Sequence, residues 1–369
     1  MAHVEFRGVA KHFGQTIAVK RLDMEIHEGE FVSLLGPSGC GKTTTLRIAA
    51  GLETPTAGEV LFDGKRVTHL SPAERNIAMV FQLRALYPHM TVRANVAFSL
   101  RAERLPRAEI AARVERAAKW MRIEHVLDMM PSAVHPADAQ RAAIAKAIAR
   151  DPALFLFDEP FSRLDAQLRA QMRIEIKRAH RETGRAAAFV THDQAEALAI
   201  SDRVAVMREG ELVQIGTPAQ IFDEPSHRYT AEFVGSPPIN MLEAEMTQEN
   251  GDVSLRVAGQ TMPVDDGMAL NGWDGPRRFL VGMRPRRIAL MPPDASEGEA
   301  LRGVIDLLEP MGRETLAHIR LSPDAEARCL YPRQERWREG DAVALRIDAP
   351  RMTFFDAETG AALKRRAAS

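Results

Sequence analysis

Short apolar runs alternate with longer amphipathic stretches through the first two-thirds of the chain. Phe31-Val32-Ser33-Leu34-Leu35 is one such run, and Ala153–Phe157, Ala187–Thr191 and Val204–Met207 are others. Each predicts a buried strand, and their alternation with helical stretches is the α/β pattern. From about Val92 to Arg150 the periodicity turns helical, in a stretch rich in Ala, Arg and Glu. It predicts a helical subdomain over about 90–150, inserted before the second of those strands. A passage from Phe222 to Asn240 holds several prolines and reads as a linker. Beyond it, alternation at period two takes over: Val253/Leu255/Val257, then Ile319/Leu321 opposite His318/Arg320, then Val343/Leu345/Ile347. Turn signals at Asn271-Gly272 and Glu339-Gly340 separate these runs. The pattern therefore predicts an α/β domain over 1–235 and a small all-β, barrel-like domain over 236–369.

A chain of 369 residues is long for one domain and fits about two or three. Its formal net charge of −1 gives no global basic signal, which argues against nucleic acid as a partner. The local cluster Lys364-Arg365-Arg366 reads as a solvated tail. Two cysteines, Cys40 and Cys329, stand far apart, without metal-ligand spacing, as suits a reducing compartment. The first residues lack the apolar segment of a signal peptide. No apolar run reaches the ~18 residues that a spanning helix needs, so a membrane role would come through partner subunits.

The densest chemistry lies at Gly36-Pro37-Ser38-Gly39-Cys40-Gly41-Lys42-Thr43, which fits G-x-x-x-x-G-K-[ST]. It follows a predicted strand and opens a predicted helix, as that motif requires. Gly36, Gly39 and Gly41 let the backbone curl, so that N–H groups, including those of Ser38 and Cys40, point at phosphate oxygens. The helix N-terminus adds partial positive charge. Lys42 is placed to reach the β- and γ-phosphates of ATP, Thr43 to ligate Mg²⁺, and Thr44 to bond an inner phosphate. Cys40 reads as a small filler within the loop. Asp158 ends the Leu154–Phe157 run, where a Mg²⁺-associated carboxylate sits in phosphate-loop folds. Glu159 follows, placed to orient or deprotonate an attacking water.

With these residues the chain resembles the ATP-binding cassette (ABC) transporter ATPases, specifically the carbohydrate-importer subunits, over nearly its whole length. The resemblance implies an α/β P-loop nucleotide-binding domain with an inserted helical subdomain, plus a C-terminal all-β OB-like (TOBE) accessory domain. It assigns Gln82, in Val80-Phe81-Gln82 before Ala85-Leu86-Tyr87-Pro88-His89-Met90, to sensing Mg²⁺ and the membrane subunit. It assigns His192, in Thr191-His192-Asp193-Gln194, to the γ-phosphate, and Phe13 to stacking on adenine. Phe161-Ser162-Arg163-Leu164-Asp165 matches the loop that crosses the dimer interface. Gly235-Ser236-Pro237, Gly282-Met283-Arg284-Pro285 and Gly312-Arg313-Glu314-Thr315 look like landmarks of the importer subgroup, although Arg286-Arg287 replace its usual Glu-His.

The chain departs from this family at the signature, normally L-S-G-G-Q. Anchored on Gln140-Arg141, the equivalent residues are Val134-His135-Pro136-Ala137-Asp138, and none of the five matches. In the family, this segment of one subunit meets the γ-phosphate held by the other. Pro136 has no N–H to give, Ala137 adds a Cβ, and Asp138 brings negative charge toward a polyanion. His135 could donate a hydrogen bond. Losing one transition-state donor costs about 10²–10³ in rate in well-studied cases.

The resemblance thus implies an ATP-hydrolysing subunit at the cytoplasmic face of the cell membrane, bound to two transmembrane permease subunits that a solute-binding protein feeds. The cargo it implies is a carbohydrate, polyol or glycerol phosphate, with polyamine or metal chelate as the alternative. A heterodimer with a second ATPase fits an intact phosphate-loop half beside an altered signature. A slow homodimer, or an ATP-binding regulatory subunit with little hydrolysis, remains the other reading.

Overall fold

The computed structural model describes residues 3–82, 86–162, 164–249, 252–263, 277–294, 300–335, 337–348 and 351–364. Ala85, Arg163, Asn271-Gly272 and Arg365-Arg366, which figure in the motifs above, lie outside them. The chain divides into two compact units, Met1–Pro218 and Ala219–Ser369.

The first unit runs β1 (Val4–Phe13), β2 (Thr16–Ile26), β3 (Phe31–Leu35), α1 (Lys42–Ala50), β4 (Ala57–Phe62), β5 (Lys65–Arg66) and β6 (Ile77–Val80). Three helices follow, α2 (Val92–Ala102), α3 (Arg107–Met121) and α4 (Pro136–Ile148). The chain then returns through β7 (Leu154–Asp158), α5 (Ala166–Thr183), β8 (Ala186–Thr191), α6 (Gln194–Ile200), β9 (Arg203–Arg208) and β10 (Glu211–Gly216). Among the described residues these strands form one sheet in the order β5-β4-β1-β2-β10-β9-β3-β8-β7-β6. Strands β9, β3, β8, β7 and β6 are mutually parallel. Phe31–Leu35 is buried along its whole length, as is Ala186–Thr191, because both sheet faces are covered. On one side Phe31, Phe157, Phe161 and Phe189 pack with α2–α5. On the other Val32, Leu34, Leu156 and Val190 join the residues of α1. The helical stretch expected at about 90–150 is α2–α4, with short 3₁₀ turns before α4.

The parallel register decides where function can sit. Val80 pairs with Phe157, Asp158 with Val190, and Leu35 with Thr191. The segments that leave these strand ends therefore emerge side by side along one edge, the place where open parallel sheets bind ligands.

The second unit opens with two short helices, α7 (Pro218–Asp223) at the division and α8 (Arg228–Phe233). The strands follow: β11 (Asn240–Glu249), β12 (Asp252–Val257), β13 (Gln260–Pro263), β14 (Arg277–Met283), β15 (Ile288–Met291), β16 (Ala300–Pro310), β17 (Glu314–Ser322), β18 (Ala325–Pro332), β19 (Ala342–Ile347), β20 (Thr353–Asp356) and β21 (Ala362–Leu363). Among the described residues they form two antiparallel sheets, β13-β12-β11-β14-β20-β21 and β15-β19-β16-β17-β18, around one apolar core. The passage read as a linker is in part helical and is built into this unit. Buried Arg284 donates to the carbonyls of Phe222, Ala231 and Val234. Gly235 is at φ 126°, and a Cβ there would strike the Arg284 guanidinium. Two of the importer landmarks thus pack on each other.

Candidate functional site

The phosphate loop connects β3 to α1 and is braced from beneath. A Cβ on Gly36 would run into the Met207 carbonyl oxygen, and one on Gly41, at φ 102°, into that of Ala18. Only glycine permits that approach together with that backbone angle. Lys42 is buried, and its Nζ donates to the carbonyls of Gly36 and Pro37 at 2.8 Å each. The ammonium is thus folded over the loop that it would share with a phosphate. Ser38 and Gly39 are exposed on the rim, and Thr44 is half-buried. Cys40 is buried, and burial pushes its thiol pKa up despite nearby Lys42. A thiol so held stays protonated and inert, as a filler residue should.

Thr43 Oγ1 donates to Asp158 Oδ1 at 3.0 Å, joining the loop to the end of β7. Burial raises the Asp158 pKa, the largest influence on it, while the Thr43 hydrogen bond opposes. A hydroxyl and a carboxylate in contact form the hard oxygen set that suits Mg²⁺. Glu159 follows at φ 43°, a conformation rare for a non-glycine residue. Its N–H donates to the Val190 carbonyl at 3.1 Å. Its carboxylate lies 3.3 Å from His192 Nδ1 on one oxygen and 3.4 Å from Gln82 Nε2 on the other. Gln82 also reaches Ser162 Oγ at 3.5 Å. Ends of three adjacent strands thus deliver Gln82, Glu159 and His192 to one point, and their parallel register puts them beside the phosphate loop.

Phe13 ends β1 and is 46% exposed, with Lys11 Nζ 4.6 Å from its ring centroid. An exposed aromatic face beside a cation suits stacking on a flat base. Phe13 pairs with Thr16 across the turn into β2, the strand whose Ala18 backs Gly41.

Residues 19–162 match the family model described as ABC transporter, and residues 281–355 match the TOBE domain. The osmoprotective compounds uptake ATP-binding protein GgtA of Synechocystis is 40% identical over 98% of this chain and 100% of its own length.

The chain belongs to the ATP-binding proteins of ABC transporters.

Among other relatives, the sn-glycerol-3-phosphate import ATP-binding protein UgpC of Cereibacter sphaeroides is 43% identical, over 98% of this chain and 99% of its own. The sulfoquinovosyl glycerol transport ATP-binding protein SmoE of Agrobacterium fabrum is 41% identical, over 97% and 99%. Among solved structures, cbiO1 of Clostridium perfringens, part of the ABC transporter complex cbiONQ, aligns at TM-score 0.56 and 28% identity, covering 60% of this chain and 90% of that one. A dimeric ATP-binding cassette, MJ0796, in a post-hydrolysis state with ADP and Pi aligns at 0.53 and 30% identity, covering 58% and 98%. This ABC protein is accordingly an ATP-binding ATPase, an α/β nucleotide-binding domain followed by an all-β TOBE domain.

Among the described residues, no hydrogen bond or ion pair joins Val134–Asp138, the segment that the sequence aligns with the family signature, to the phosphate loop. His135 caps α4, its Nδ1 accepting from the Ala137 N–H at 3.3 Å. That acceptor role leaves the proton of a neutral ring on Nε2. Asp138 is not held out toward an incoming phosphate. It faces Arg141 at 3.0 Å and His125 at 3.4 Å, with its side chain only 16% exposed. Arg141 continues to Glu175 on α5 at 3.1 Å. The Asp138 carboxylate is therefore engaged within this chain, by an arginine that it shares with Glu175. Gln140 follows the segment two residues on. The structure shows its Nε2 donating to the Pro160 carbonyl at 2.8 Å, next to Glu159.

Proposed function

We propose that this chain is the ATP-hydrolysing subunit of an importer for a carbohydrate, polyol or glycerol phosphate. Three relatives named for uptake of osmoprotective compounds, glycerol 3-phosphate and sulfoquinovosyl glycerol support that cargo class. Among the described residues no helix is long and apolar enough to cross a membrane. Two permease subunits would form the path, a solute-binding protein would feed it, and this chain would sit on their cytoplasmic side.

The contact that carries the catalytic reading is Glu159 held between Gln82 and His192. Lys42, with the N–H groups of Gly36–Thr43, would bind the β- and γ-phosphates, and Phe13 would stack on adenine. Thr43, Asp158 and Gln82 would hold Mg²⁺, which when bound neutralises phosphate charge. Glu159 would accept the proton of the attacking water, and His192 would hold the γ-phosphate and the acid in register. Replacing Glu159 by Gln keeps the shape and removes the base. ATP binding is expected to persist while turnover falls about 10²–10⁴-fold. Unchanged turnover in the assembled transporter would remove Glu159 from catalysis.

The α4 N-terminus favours pairing with a second ATPase that has an intact signature. Pro136 cannot give the N–H that a serine-glycine signature gives, so a homodimer would carry two weakened sites, whereas a heterodimer keeps one whole. The same observation supports a second reading, an ATP-binding regulatory subunit that hydrolyses little. ATPase assays of the chain alone and with its companion separate these readings: brisk turnover alone would exclude the heterodimer requirement.

A further inference from the structure

We propose that the C-terminal unit binds a small organic anion, a phosphate monoester or a carboxylate, in a cavity of about 780 Å³ walled by Arg284, Arg287 and Arg351. That volume falls in the range of about 300–1,000 Å³ usual for small-molecule sites.

Three guanidiniums line the cavity against two lining carboxylates, Asp223 and Glu224, with Asp348 beside it, and with Lys364 the cations exceed these acids by one. Arg284 is buried over the Phe222 ring, 4.3 Å from its centroid, and its hydrogen bonds go to neutral carbonyls. Asp223 acts on it from beyond ion-pair reach. Arg287 meets that same Asp223 at 3.5 Å and Asp348 at 3.9 Å, and Arg351 meets Asp348 at 3.4 Å. Two arginines thus share one carboxylate through long, partly exposed contacts, which are weak. A guanidinium has five N–H donors in a planar fork. Arg287 and Arg351 therefore keep donors for the bidentate grip that phosphate and carboxylate oxygens accept. Lys364 adds a further cation to the lining, and Ile239, Phe354 and Leu363 give it an apolar side. Such a wall suits an anion that carries a carbon body better than a bare ion.

Arg287 ties the site to this chain in particular. At Arg286-Arg287 the sequence leaves the Glu-His of the family it resembles, and the structure gives the two arginines different partners. Arg286 turns to Glu314, its Nη2 on Oε2 at 2.8 Å, while Arg287 lines the cavity.

The test is titration calorimetry on the full chain with its phosphate loop filled by saturating MgADP. Glucose 6-phosphate and citrate are the probes, with glucose and inorganic phosphate as comparators. One saturable site per chain is expected for at least one probe, at least tenfold tighter than inorganic phosphate, with none for glucose. Preference for the sugar phosphate assigns phosphate monoesters, and preference for citrate assigns carboxylates. Arg287→Ala with Arg351→Ala should weaken binding at least tenfold at an unchanged circular dichroism spectrum. Arg287→Lys, which keeps the charge and loses the fork, should fall between. Absence of binding by both probes, or equal affinity in the double variant, overturns the proposal.

Discussion

Glu159 holds a left-handed backbone angle that costs a non-glycine residue about 1–3 kcal/mol, and the Val190 carbonyl fixes it there. The outcome is a carboxylate aimed between Gln82 and His192 rather than along the strand. Gly41 solves the related problem in the phosphate loop with a positive φ and no side chain. Gly41→Ala combines an unfavourable angle with a collision against the Ala18 carbonyl. We expect it to destabilise the first unit by about 1–3 kcal/mol and to weaken nucleotide binding, measured by urea denaturation and by equilibrium titration with ATP. At this scale the sequence was informative wherever chemistry demands fixed spacing, as at Gly36–Thr43 or Asp158-Glu159. It predicted a charge facing phosphate at Asp138, and the structure instead pairs that carboxylate with Arg141, one turn along the same helix, and with His125, which only the fold brings to it.

Helix α1 is secured at both ends, by the phosphate loop before it and by Arg75 after it. Buried Arg75 donates to the carbonyls of Ile48, which also accepts from the Gly51 N–H at 3.1 Å, and Ala49 in the last turn, and to those of Leu70 and Thr68. Burial pulls its pKa down to about 10. Arg75→Met removes the donors to these four carbonyls and should cost about 1–3 kcal/mol, read from the shift in urea midpoint at constant slope. Helix α5 carries a pH-dependent element. His180 is buried edge-on to Phe31, with Nε2 2.7 Å from the Arg185 carbonyl. Burial lowers its pKa, so the unfolded chain binds the proton more readily than the native one. Stability from this residue is present above the ordinary histidine value of about 6.5 and is lost as pH falls below it toward the lowered one. His180→Gln should flatten the decline of thermal midpoint as pH falls below about 6.5. Buried strands and amphipathic helices were legible at this scale, since burial on two faces or one leaves distinct periods. Helix α8 was not legible, because the prolines and serines around it mimic a loop and its helical face is only six residues long.

For the whole molecule, the fold class followed from where period two replaces the α/β alternation. The division did not, since the segment after Pro218 is held by Arg284 across separations of 50, 53 and 62 positions, which no local pattern encodes. The signature gives the prediction that belongs here. Changing His135→Ser, Pro136→Gly and Ala137→Gly together would return the missing hydroxyl and N–H donors. The isolated chain should then hydrolyse ATP about 10²–10³-fold faster, measured by phosphate release. An unchanged rate would place the limitation elsewhere than in the signature.

The bond from Gln140 to the Pro160 carbonyl gives α4 a tie to the catalytic edge that does not depend on its signature residues. It fastens the helical layer to the residue that follows Glu159, so a tilt of that layer pulls on the backbone carrying the acid. On the function proposed above, a subunit that contributed little to its neighbour's phosphate would still act as a clutch, engaging its own Glu159 when the layer above is pushed into place and releasing it when the push ends.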